Sequence, residues 1–458
     1  MFVPKLEKIM GMEVYATTSL GVGGVIRQFV EDFVVEEILV DGSRAEIKCS
    51  DKPKVLGSSA EKKRYLLCVL VKRNWDTFLA INAIAKQLGI NADTIHFAGI
   101  KDAKAVTAQF ITVDGVSADE VQKANVKDIK IHPVGYLRHK LSTYYLLGNN
   151  FNITIRNISH PKSSTKKRIE KTIKELEAVG GVPNFFGHQR FGTVRPITHS
   201  IGKALVKGNF KKAVMLFLAK PSPYEHPESR KAREQLQKTQ DFRQALKDFP
   251  KQLHYERLML KHLAQKPKDF LGALRRLPIK LRELFPQAYQ AYLFNKFLSK
   301  RIAEGLSLNK AEVGDYVVSV QRSGLPLLTM YKIVKTETLA EINEAIKAGR
   351  MQLALPLIGF KQKPSRGVQG EIEKQILDEE GITFENFKIN LMPEISSKGE
   401  LRTALTPLNN FQLKEVCADA TSLSKNMAKI SFTLHRGAYA TVLLREIMKP
   451  RNLLKAGF

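Results

Sequence analysis

"AKISFTLHRGAYATVLLREIM" occupies residues 428–448 and reads as a strand, a turn at Arg436-Gly437 and a helix. Its position in the chain gives it weight. The first 160 residues carry runs of the same strand-like kind: "VIRQFVEDFVVEEILV" (25–40), "RYLLCVLVKRN" (64–74), "TIHFAG" (94–99), "AVTAQFITV" (105–113), "IKIHPVGYL" (129–137) and "TYYLLGNNFNITIRNI" (143–158). Between them "WDTFLAINAIAKQLG" (75–89) sets Phe78, Ile81, Ala85 and Leu88 at helical spacing. "SSTKKRIEKTIKELEAVGG" (163–181) reads as an amphipathic helix stopped by its glycine pair. From about residue 200 to 305 the character changes to helices rich in Lys and Arg, including "SRKAREQLQKTQDFRQALKDFPKQ" (229–252) and "FPQAYQAYLFNKFLSKRIAEG" (285–305). The return to strand-turn-helix near the C-terminus predicts that the last strand joins the N-terminal sheet, with the middle of the chain inserted into that domain. Strands with interspersed helices make the domain α+β, on a mixed or mostly antiparallel sheet.

With 458 residues, 43% hydrophobic and 26% charged, the chain is ordinary for a globular protein of two or three domains. Lys and Arg number 73 against 45 Asp and Glu, a net charge of +28 that makes a polyanion the expected partner. Cys49, Cys68 and Cys417 are far apart, with no C-x-x-C pair. That spacing speaks against a zinc ribbon and a disulfide framework, and fits a reducing compartment. No apolar run approaches the roughly 20 residues that span a bilayer, and the first 20 residues lack the apolar stretch of a signal peptide. The expected location is cytoplasmic, or nuclear in a nucleated cell, and a monomer is the default state.

Motif by motif, most catalytic classes drop out. Gly21, Gly23 and Gly24 in "LGVGGVIRQF" suggest a dinucleotide loop, but Ile26 stands where a third glycine should, and strand-like residues follow. A turn is the expected reading. The ten histidines show no H-x-x-x-H pair and none neighbours a cysteine at ligand spacing, so no metal site is expected. G-x-S-x-G and G-x-x-x-x-G-K-[ST] are both absent. Carboxylates, basic residues and aromatics remain.

Among these, "HFAGIKDAKAVTAQFITV" (96–113) sets Asp102 between Lys101 and Lys104 on a loop between two strands. Nearby positive charge favours the ionised carboxylate, which can serve as nucleophile or general base. A solvated surface pair fits the same spacing. In "NFFGHQRFG" (184–192), Phe186 offers a face on which an extruded base could stack, Asn184 or Gln189 a reader of its polar edge, and Arg190 a phosphate contact. A buried aromatic turn with a structural arginine fits equally.

Seven segments, in order and spanning nearly the whole chain, resemble the TruD-type pseudouridine synthases: "EDFVVEE" (31–37), "FAGIKDAKAVTAQ" (97–109), "LGNNF" (147–151), "GGVPNFFGHQRFG" (180–192), "AYLFNKFLSKRI" (291–302), "LALPLIG" (353–359) and "RGAYATVLLREI" (436–447). The resemblance implies isomerisation of uridine 13 of tRNA to pseudouridine, without metal or organic cofactor and without an obligate protein partner. It implies that Asp102 is the single catalytic aspartate, that Phe186 is the active-site aromatic and that Asn184 is a polar neighbour. Arg27 stands where bacterial members carry a lysine thought to pair with the aspartate, which leaves Arg27 and Lys101 as alternative partners for Asp102. The implied architecture is a pseudouridine-synthase catalytic domain, residues 1–204 and 401–458, interrupted by an α-rich insertion over 205–400. Lysine-rich helices at 163–175 and within 229–282 are candidate tRNA surfaces. Two rival readings keep the fold: a non-catalytic RNA-binding or tRNA-folding protein, and a synthase acting on a different RNA uridine. A nuclease fits less well, because metal-assisted cleavage uses clustered carboxylates and the segment around Asp102 has one.

Overall fold

Eight strands of the protein form one sheet: β1 (Phe33–Leu39), β2 (Tyr65–Arg73), β3 (Ile95–Phe97), β4 (Val106–Asp114), β5 (Ile129–Leu137), β6 (Leu146–Ile158), β7 (Asn409–Ala418) and β8 (Asn426–His435). They run in the order β7-β8-β6-β1-β4-β2-β5, with β3 beside the far half of β4. Of the pairings, β1 with β4 is parallel, and the others are antiparallel. The sheet is therefore mixed and mostly antiparallel. β8 lies against β6 over nearly its whole length, Phe432 opposite Phe151 and His435 opposite Gly148, so the C-terminal strand does return to the N-terminal sheet. This computed structural model describes residues 2–48 and 55–458, and Cys49 lies outside the described residues.

Helix α1 (Thr77–Leu88) begins at Asp76, whose side chain accepts from the N–H groups of Phe78 and Leu79, and ends at Gly89 in the left-handed region. Its Ala80, Ile81, Ile84 and Ala85 pack on Leu66, Cys68 and Leu70 of β2 and on Ile111 and Val113 of β4. Each apolar side chain in this layer stabilises the unit in proportion to the area it removes from water, about 25 cal/mol per Å². Helices α2 (Lys162–Ala178) and α3 (Ala440–Met448) also belong to this unit, α2 burying Ile169, Ile173 and Leu176. The Gly21–Gly24 segment is irregular rather than the expected turn: the Val22 and Gly23 N–H groups donate to the Ile447 and Met448 carbonyls, and Gly24 has φ +88°, where a Cβ would meet the Arg156 carbonyl oxygen at 2.7 Å.

The chain divides into two compact units, Thr17–Val182 with Thr406–Phe458, and Met1–Ala16 with Pro183–Leu405. The second therefore takes in 183–204, 401–405 and the N-terminal segment, beyond the 205–400 range expected of an insertion. Its long helix Ile279–Ala303 explains why. Buried Asn295 accepts from the Phe186 N–H at 2.8 Å and donates to the Phe186 and Met10 carbonyls, while Ser299 donates to the Gly11 carbonyl at 2.7 Å. The helical stretch 229–252 is divided between two helices, Pro227–Thr239 and Phe242–Asp248, because Gln240 adopts a left-handed conformation and Asp241 caps the second. The long helix begins at Ile279, not at Phe285, and carries Pro286 inside it. Four antiparallel strands accompany the helices, in the order Glu400–Thr403, Met351–Leu357, Tyr316–Val320, Pro326–Ile333.

Buried in this unit, His199 stacks on Tyr292 at 5.1 Å and meets Phe191 edge-on at 5.5 Å. Burial pushes its pKa down to about 4, with Glu380 opposing and Lys203 adding. The unfolded chain then binds more protons than the folded one between about pH 6.5 and 4, so this contribution is full above 6.5 and is lost as pH falls. Denaturant titrations at pH 7 and 4.5 should show a loss of up to about 3 kcal/mol from this residue, and His199→Gln should flatten the dependence.

Candidate active site

The loop 98–105 joins β3 to β4, and the sheet itself determines its course. β1 pairs with β4 only through Val34–Glu36 opposite Val106–Ala108, and β3 takes over the same edge from Ile111 onward. At the handover, buried Glu37 substitutes for a strand: one carboxylate oxygen accepts the Phe110 N–H at 2.9 Å, the other the Lys101 ammonium at 2.5 Å. Gln109 donates to the Gly99 carbonyl at 3.1 Å, and the Thr77 hydroxyl accepts the Lys101 N–H at 3.1 Å. The Lys72 ammonium donates to the Asp102 carbonyl at 2.9 Å and to the Trp75 carbonyl at 2.6 Å. Ladder, side chains and helix start thus pin the loop at successive residues.

Pinned this way, the Asp102 carboxylate meets Arg27, whose guanidinium donates to it at 2.9 Å. Arg27 is itself constrained. Its φ is +58°, unfavourable for a residue with a Cβ and typical of positions held for a purpose. Its guanidinium lies 4.0 Å from the centre of the Phe33 ring, and the preceding Ile26 N–H donates to the Ala456 carbonyl near the C-terminus. Burial lowers the Arg27 pKa, opposed by the charge and hydrogen bond of Asp102. Side-chain exposure of 12% for Arg27 and 27% for Asp102 leaves the pair at a half-open surface, shielded enough for its Coulomb energy to count. Of the two alternatives, Arg27 is the residue that meets Asp102: Lys101 is buried against Glu37, and Lys104 is exposed.

In the other unit, Asn184 is buried and its polar groups are engaged: Nδ2 donates to the carbonyl and hydroxyl of Thr403, and Oδ1 accepts from Arg402 at 2.6 Å. Arg402 is thereby laid over the Phe186 ring, 4.0 Å from its centre, with Phe294 edge-on to Phe186 at 5.6 Å. Arg190 stands 5.7 Å from the same ring and donates to Gln287, while Gln189 is exposed. Phe186, Arg190, Gln287, Gln290, Lys398 and Arg402 line a cleft of about 490 Å³. Asn184 in this geometry orients an arginine, and one face of Phe186 is taken by a cation.

The family model for tRNA pseudouridine synthase D (TruD) matches residues 9–447. The chain belongs to this family. A "Probable tRNA pseudouridine synthase D" of Methanosarcina barkeri is 41% identical over 450 residues, 98% of each chain, and one of Pyrococcus abyssi is 38% identical over 436 residues, 95% of this chain and 98% of its own. The crystal structure of the "Putative tRNA pseudouridine synthase D (TruD)" from Methanosarcina mazei superposes with a TM-score of 0.84 at 39% identity, covering 98% of this chain and 99% of that one.

Within this TruD protein, sequence reasoning missed Lys72, Thr77, Arg402 and Thr403. Lys72 carried a usable signal: it ends a run, "YLLCVLVK", that is buried throughout, and a lysine in such a strand needs a partner. Arg402 carried none, since nothing local marks it as the neighbour of residues more than 200 positions earlier. Among the described residues no helix is long and apolar enough to cross a membrane, and no group of three or more His, Cys, Asp or Glu could hold a metal ion.

Proposed function

We propose that this TruD family member converts uridine 13 of tRNA to pseudouridine, with Asp102 as the catalytic carboxylate. The observation that carries the reading is the Arg27–Asp102 pair on a loop pinned at Gly99, Lys101 and Asp102. Such construction is unnecessary for a surface ion pair, and is what a group held for chemistry requires. In the reaction the N1–C1′ bond breaks, uracil turns, C5 bonds to C1′, and the C5 proton is lost while N1 gains one. Atoms and electrons balance without oxidant or nucleotide.

Base extrusion from the folded RNA costs a few kcal/mol, and a stacking contact of about 1–3 kcal/mol offsets part of it. Phe186 is the residue read for that contact, backed by Arg402, with Arg190 available to phosphate. Asp102 then acts at the sugar, as nucleophile at C1′ or as base at C2′ giving a glycal, or at the uracil ring, by addition to C6; each needs the same carboxylate within reach of the nucleotide. The net charge of +28 suits the polyanionic substrate.

The test is to incubate the protein with unmodified tRNA transcripts and map pseudouridine by position. Modification confined to position 13 is expected. Modification elsewhere assigns a different uridine, and tight binding without modification assigns a non-catalytic RNA-binding role.

A further inference from the structure

Lys72 ends the buried run of β2, and its side chain is buried with it. An ammonium removed from water must find acceptors, and this one finds two main-chain carbonyls, those of Trp75 at 2.6 Å and Asp102 at 2.9 Å. These carbonyls sit on different segments: Trp75 just before Asp76, the cap of α1, and Asp102 on the pinned loop. The remaining surroundings are sparse in charge. Thr107 of β4 and Ile129 of β5 lie opposite Lys72 in the ladders, and the charged groups acting on it are Asp102, Asp76 and Lys101. The sequence marks Lys72 as a buried lysine in need of a partner but names neither carbonyl, and the Arg27 contact does not use it.

We infer that Lys72 is a positioning residue for the reaction: its ammonium clamps the Asp102 main chain to the start of α1 and so determines where the carboxylate stands. The inference rests on the reading of Asp102 as the catalytic carboxylate. Burial brings the Lys72 pKa down to about 8, with Asp102 and Asp76 opposing and Lys101 adding. Its charge is therefore held below about pH 8 and lost above. A charged donor makes hydrogen bonds about twice as strong as a neutral one, so the amine that remains grips the two carbonyls less firmly. Misplacement of a reacting group by 1 Å costs about 100-fold.

The experiment measures single-turnover pseudouridine formation at saturating tRNA between about pH 7 and 9, with tRNA affinity in parallel, for wild type, Lys72→Arg and Lys72→Met. The wild-type rate is expected to fall about tenfold or more across this range without weaker tRNA binding, as the clamp loosens. Lys72→Arg keeps its charge throughout and should flatten that limb; because substrate titration is common to both proteins, the difference between them isolates Lys72. Lys72→Met should be slower by about 100-fold at pH 7 with affinity unchanged. A Lys72→Arg rate that follows the same pH profile as wild type, or a Lys72→Met rate within about twofold of wild type, overturns the inference, and the Lys72→Arg comparison decides it even if Lys72→Met does not fold. Absence of pseudouridine from wild type at every pH overturns the synthase reading and this one together, whereas an active wild type whose profile Lys72→Arg reproduces overturns this one alone.

Discussion

Replacing Asp102 by Asn is expected to lower pseudouridine formation at least about a thousandfold while tRNA affinity stays within about twofold of wild type. Asn has nearly the same shape and can still accept a hydrogen bond from Arg27, so the loop, held by Gln109, Thr77 and Lys72, has no reason to move. What disappears is the negative oxygen, and with it the nucleophile or base. Mapping modified positions alongside filter binding separates the cases. Full activity in Asp102→Asn would reduce the pair to a surface contact and remove the catalytic assignment. Loss of binding together with activity would mean that Asp102 shapes the RNA surface.

Arg27→Ala is the second large effect. Removing the guanidinium takes away the 2.9 Å contact to Asp102, uncovers Phe33, and leaves a partly shielded carboxylate without that counter-charge. The expected loss is roughly 30- to 100-fold in the single-turnover rate, smaller than for Asp102 because the reacting group is still present. Arg27→Lys should recover most of this, to within about tenfold of wild type, because it restores charge but not the planar fork that lies flat on Phe33 while donating to Asp102. Equal rates for Arg27→Ala and Arg27→Lys would show that charge at this position is immaterial. The position also carries strain, φ +58°, so thermal melts of both variants are needed to show that the rate loss is not unfolding.

The position of Arg27 shows where reading a chain stops. Its type and its place before "VEDFVV" were visible, but its approach to Asp102 depends on a left-handed backbone and on the C-terminal segment around Ala456, 429 residues beyond Arg27. Lys101 lies next to Asp102 in sequence and stood as the alternative partner. The fold gives it to Glu37 instead, because a parallel strand ends there and a buried carboxylate fills the gap in the ladder. Likewise the polar edge of Asn184, which could have read a base, is turned onto Arg402 and Thr403.

By itself the sequence determined the strand runs, the return of "AKISFTLHRGAYATVLLREIM" to the first sheet, the basic character and, through seven ordered segments, the family. Those properties are local or cumulative: side-chain periodicity, charge totals and motif order survive being written on a line. The tertiary structure decided which cation meets Asp102, which residues hold its loop, and that 183–204 pack with the long helix. Those depend on hydrogen bonds and ion pairs between residues tens to hundreds of positions apart, whose geometry exists only once the sheet and helices have packed.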